Sequence, residues 1–85
     1  MKINSAYKII KRENESFLTN IEDGDVYKIN DVTLAIFETC ELVKDFQELI
    51  NNIYSRFQTS TDDYSKEDLK EFVLDLISND FIIDN

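Results

Sequence analysis

Eighty-five residues with 42% apolar content, six phenylalanines, four tyrosines and no proline suffice for one compact core, and they exclude the polar, aromatic-poor composition of a disordered chain. The absence of histidine and a single cysteine exclude a zinc centre and an internal disulfide, and no serine or cysteine has a recognisable catalytic base. Net charge is −9 and unevenly placed: residues 1 to 30 balance five basic groups against five acidic, whereas the rest carries four basic and thirteen acidic, a field that repels phosphate backbones and attracts basic peptides or basic protein faces.

In chain order, the first thirty residues read as a three-strand meander. Rough alternation of apolar and basic residues predicts a strand over about 6–12, Asn14 is a plausible turn, and a second strand covers about 17–22. Asp23-Gly24 holds the only glycine of the chain, between two strand-like runs, which is a hairpin signal. A third strand spans about 25–29, where Val26 and Lys28 alternate with Tyr27 and Ile29 at the two-residue period of a half-buried strand. Asn30 and Asp31 then offer side-chain oxygens to cap a helix that starts with no intervening loop.

Beyond that junction the period becomes helical. Val32, Ala35, Ile36, Phe37 and Cys40 predict a helix over about 32–41, with Cys40 as a small core residue. A second helix over about 46–58 opens with Asp45 and Glu48 at capping-box spacing and repeats apolar residues from Phe46 to Phe57. Gln58 to Tyr64 is polar and unpatterned, which predicts a surface loop. Ser65 and Asp68 cap a third helix over about 66–79, with Leu69, Phe72, Val73, Leu76 and Ile77 as its buried stripe. The apolar tail Phe81 to Ile83 is expected to pack back onto the domain. Together these elements predict one α+β domain over 1–85, winged helix-turn-helix-like, with a three-stranded antiparallel sheet followed by three helices.

No segment has the apolar length of a signal peptide or a membrane span, so the expectation is a cytoplasmic protein with no membrane partner. A third helix with two lysines against four acids does not suit DNA. The acids around Gly24 leave too few oxygen ligands for a calcium loop. No enzyme activity, cofactor or metal is expected.

Several stretches resemble a known family: Gly24 to Asn30, reading GDVYKIN, followed by an apolar helix; a capped helix ending YSRF at Tyr54 to Phe57; Leu69, Phe72 and Leu76 in an acidic helix; and Asp80-Phe81-Ile82. Over about Phe17 to Ile82 the chain is similar to the PqqD-like family, also called RiPP precursor peptide recognition elements. It departs from the family pattern at Glu41-Leu42, where an acidic-glycine turn is usual, and at Asn79 or Asp80, which replace a glycine and tolerate left-handed backbone better than most residues.

The resemblance implies a non-catalytic domain. It would hold the leader segment of a ribosomally synthesised precursor peptide as an extra strand beside the third strand and against the third helix, presenting it to a separate tailoring enzyme, a radical SAM protein or a leader peptidase. Strand addition draws affinity from main-chain hydrogen bonds and specificity from pockets for alternate side chains. The expected peptide-binding residues are Val26, Tyr27, Lys28 and Ile29 on the strand, with Lys70, Val73, Leu74 and Ile77 on the helix. Leu74 is chosen as an apolar residue off the core stripe. The alternative is an acidic adaptor that docks a basic protein partner without a peptide groove.

Overall fold

The computed structural model describes residues 1–57 and 65–84; the loop expected at Gln58 to Tyr64 lies outside them. In chain order the elements are β1 (Lys2–Ile3), β2 (Tyr7–Arg12), β3 (Glu15–Asn20), β4 (Val26–Ile29), α1 (Asp31–Thr39), α2 (Phe46–Phe57), α3 (Lys66–Ser78) and β5 (Ile82–Ile83). The fold is α+β, as expected, with an antiparallel sheet of order β2, β3, β4 followed by three helices.

The register of the sheet follows from its two turns. Arg12 pairs with Glu15, which leaves Glu13 and Asn14 as a two-residue loop, and Glu13 takes a positive φ of 54° that glycine more often supplies. Asn20, the sixth residue after that loop, ends β3: its Oδ1 accepts from the backbone N–H groups of Glu22 (2.8 Å) and Asp23 (3.3 Å). Gly24, at φ 82°, donates its N–H to the Asn20 carbonyl at 2.8 Å. The strand expected at 17–22 therefore sits two residues earlier, because the first turn is made tight by left-handed Glu13 and the second begins where the Asn20 side chain caps the strand.

Alternation then divides the sheet into two faces. Ile9, Leu18 and Tyr27 stand opposite one another on the face turned to the helices, and Ile10, Phe17 and Lys28 on the other. Leu18 is buried. It meets a core of Ala35, Ile36, Phe37 and Cys40 from α1 and its C-cap, Leu49, Ile50 and Ile53 from α2, and Leu69, Val73 and Leu76 from α3. Every helix contributes residues three or four positions apart, so each buries one stripe. The hydroxyl of buried Thr39 accepts from Arg56 Nη1 of α2 at 3.2 Å, so this polar group is paired.

The helix ends are capped as the sequence suggests. Asn30 Oδ1 accepts from both the N–H and the Oγ1 of Thr33, each at 2.8 Å. Asp45 Oδ1 accepts from Glu48 N–H at 2.9 Å, and Ser65 Oγ from Asp68 N–H at 3.1 Å. Helix α3 closes in a Schellman motif. Phe81 N–H donates to the Leu76 carbonyl (2.9 Å) and Asp80 N–H to that of Ile77 (3.1 Å), with Asp80 left-handed at φ 63°. The tail packs back, and it does so by pairing β5 with β1, an element the alternation did not reveal. Asn4 secures it by donating its N–H to the Phe81 carbonyl (3.0 Å) and its side-chain amide to that of Asp80 (2.8 Å).

Phe37 is the largest wholly enclosed side chain. Phe37→Ala is expected to lower unfolding free energy by about 3–5 kcal/mol in chemical denaturation; a loss below about 1 kcal/mol would mean that α1 does not carry the core. Cys40 has no exposed surface, and its Sγ donates to the Phe37 carbonyl at 3.4 Å. Burial, and then the charge of Glu41, pushes its thiol above the ordinary range. Ellman's reagent should therefore react slowly with the native protein and fully once it is unfolded; equal rates would place the thiol at the surface.

Candidate functional site: an open strand edge beside an apolar groove

Strand β4 pairs with β3 on one side and with no described residue on the other. The phase of that pairing decides what the free side offers. Asn20 donates its N–H to the Asp25 carbonyl at 2.8 Å, so in an antiparallel ladder Tyr27 and Ile29 also direct their backbone groups inward to β3. Val26 and Lys28 consequently direct their N–H and C=O groups outward to the open edge. Their side chains lie on the outer face of the sheet, whereas those of Tyr27 and Ile29 lie on the inner one.

Beside this edge runs a groove of about 330 Å³. Tyr27, Lys28 and Ile29 form its strand side, Phe72 and Leu76 its helix side, and Leu18, Thr33 and Phe37 its floor. Phe81 closes one end. The Schellman turn delivers it there, with its ring 5.9 Å from Tyr27 in an edge-on arrangement and 4.9 Å from Tyr7. At the other end the depression continues past Asn30 and Phe72 into a second hollow of about 330 Å³ lined by Val32, Asp68 and Leu69. Phe72 is 38% exposed and Tyr27 43%, although the apolar stripe and the strand alternation assign both to the core. Both border the groove between β4 and α3 and do not pack across it.

Of the strand residues expected at the site, Tyr27, Lys28 and Ile29 line the groove, and Val26 contributes its outward backbone. The helix residues expected at the site do not line this groove. Val73 is wholly buried in the core. Lys70 and Leu74 lie two residues either side of Phe72, each roughly 160–200° round the helix from it, and Ile77 lies on the flank away from β4. Lys70 is paired with Glu67 at 3.3 Å. Leu74 remains an exposed leucine on the far side. The groove-lining helix residues are Phe72 and Leu76 instead, which the stripe assigned to the interior. A bulky aromatic bordered by Asp68, Glu71 and Asp75, on the polar flank of an apolar stripe, is the signal that marks such a residue.

The site is apolar in its chemistry and sparing with charge. Lys28 borders the groove through its backbone, while its ammonium holds Glu15 at 3.2 Å on the outer face. Loss of solvent around its ring, followed by the charge of Asp25, pushes Tyr27 above the ordinary tyrosine range, so it stays a neutral donor at physiological pH. No group of acidic, cysteine or histidine side chains able to hold a metal occurs among the described residues. None of the described helices is long and apolar enough to cross a membrane.

On the opposite sheet face Ile10, Arg12, Phe17 and Val26 surround a shallower hollow of about 290 Å³. It lies on the opposite face of the sheet from the groove and reaches the edge strand at Val26.

No match exists among curated proteins or among solved structures. A family described as coenzyme PQQ synthesis protein D, PqqD, matches residues 15–82, which span β3 through the start of β5 and so include both walls of the groove. The chain belongs to the PqqD family.

Proposed function

We propose that this chain is a non-catalytic carrier of a precursor peptide, binding the leader segment of a ribosomally made substrate and presenting it to a separate tailoring enzyme, a radical SAM protein or a leader peptidase. The observation that supports this reading most is the edge of β4, unpaired among the described residues, lying directly alongside an apolar groove. An extended segment beside β4 gains hydrogen bonds from the N–H and C=O groups of Val26 and Lys28. Its inward side chains, at every second position, enter the space between Tyr27, Phe72, Leu76 and Phe81. Main-chain bonding supplies affinity for any extended chain, and the groove selects among chains by the size and polarity of those alternate residues.

Two features suit a carrier. The C-terminal tail is held by β1 and so does not occupy the edge. The groove walls come from strand and helix, which position side chains more firmly than loops.

A synthetic leader from a precursor encoded beside the gene, titrated into labelled protein, should shift amide resonances at residues 25–30 and along the Asp68 to Leu76 flank of α3. Phe72→Glu should weaken binding about tenfold or more by placing a charge in the apolar groove, with the fold intact by circular dichroism, while Leu74→Glu leaves affinity unchanged. Shifts confined to α2, or equal losses for the two substitutions, would count against the groove.

A further inference from the structure

The groove's own charge specifies its guest more narrowly than its shape does. On α3 the residues flanking the exposed Phe72 on its solvent side are Asp68, Glu71 and Asp75, all exposed. None of the three takes part in an ion pair among the described residues. Asp68 also lines the continuation of the groove, and Asp31 lines the hollow beyond it. Both lysines of α3 are turned away: Lys66 lies 5.6 Å from the centre of the Tyr54 ring and Lys70 holds Glu67. On the strand side Lys28 already has Glu15, and Asp25 bears on Tyr27.

Acids therefore border an apolar slot, and the cations nearest to it are occupied. Like charges left unanswered along a helix flank repel one another, and a guest that supplies opposite charge relieves that repulsion as it docks. The side chains best suited are lysine and arginine, whose aliphatic stems cover apolar surface while their charged heads stay in water.

We propose that the segment taken up by this groove is a cationic one, an extended peptide whose groove-facing positions, every second residue, combine apolar residues with lysine or arginine; this rests on the reading of the groove as a strand-addition site. The apolar groove-facing side chains fill the space around Phe72 and Leu76, and the cationic ones lay their stems over Phe72 with their heads at Asp68, Glu71 and Asp75. Acidic leaders are disfavoured by the same field.

The probes are three end-blocked, fluorescently tagged synthetic peptides of one length, with threonine at every second position and, at the positions between, leucine taking turns with lysine, glutamine or glutamate, measured by anisotropy at low and moderate salt. The lysine peptide should bind about tenfold more tightly than the glutamine peptide, as expected of a few partly exposed charge contacts, and the glutamate peptide most weakly. The advantage of lysine should shrink as salt rises. Combining Asp68→Asn, Glu71→Gln and Asp75→Asn should abolish that advantage while leaving the glutamine peptide's affinity in place. Removing the same charge elsewhere, with Glu41→Gln, Glu48→Gln and Glu67→Gln, should preserve it.

Binding of the glutamine peptide without preference for lysine overturns the charge proposal and leaves the groove standing. Equal effects of the two triple variants overturn it as well, because the preference then belongs to the net charge of the molecule. Failure of all three peptides to bind removes the groove reading and this proposal together.

Discussion

The constraint on which the structure depends is the junction at Asn30, where a strand becomes a helix with no loop between them. One side-chain oxygen accepts two hydrogen bonds from Thr33, satisfying a backbone donor that helix initiation would leave unpaired and fixing the direction in which α1 departs. Since the chain turns into the core at that point, the segment that follows β4 does not pair beside it, and among the described residues none does. At the same junction α1 is drawn under the sheet so that Phe37 becomes the floor of the adjoining groove.

Exposure of such an edge is a hazard that proteins manage, because a row of free backbone groups templates aggregation. Here the management is local. The strand is four residues long, it carries Lys28 on its outer face, and carboxylates gather at its start in Asp23 and Asp25. Those devices discourage long, flat, self-complementary pairing while leaving room for a short guest. The tail adds to the arrangement. Asp80, in a left-handed conformation that its side chain tolerates better than most, reverses the chain so that β5 runs to β1 and Phe81 stands at the end of the groove.

Most of the architecture was legible in the sequence because it rests on local signals. The three helices are announced by their caps at Asn30, Asp45 and Ser65 and by apolar stripes, and the β3 to β4 hairpin by Asp23-Gly24. What escaped depends on distant or unusual contacts. Two-residue strands carry no alternation, so the pairing of β1 with β5 across nearly the whole chain leaves no periodic trace. The first hairpin turns at Glu13 and Asn14 without glycine, so the turn is readable at Asn14 but not that β3 starts immediately after it. On α3 periodicity identifies the stripe but not the rotation of the helix against the sheet. That rotation makes Phe72 a groove wall, sinks Val73 into the core and sends Leu74 to the far side. Exposed residues of a groove and buried residues of a core share the same apolar character, so only packing separates them.

The alternation of backbone direction along β4 has a consequence for any visiting chain. Tyr27 spends its amide and carbonyl on β3, so the edge offers partners only at Val26 and Lys28. A visitor adding antiparallel must keep its amide hydrogen at the two residues facing those positions, whereas the residue between them can be proline or N-methylated at no hydrogen-bonding loss; for a parallel visitor the rule reverses. The edge thus imposes a rule on imino acids that is independent of side-chain identity, written in the main chain alone.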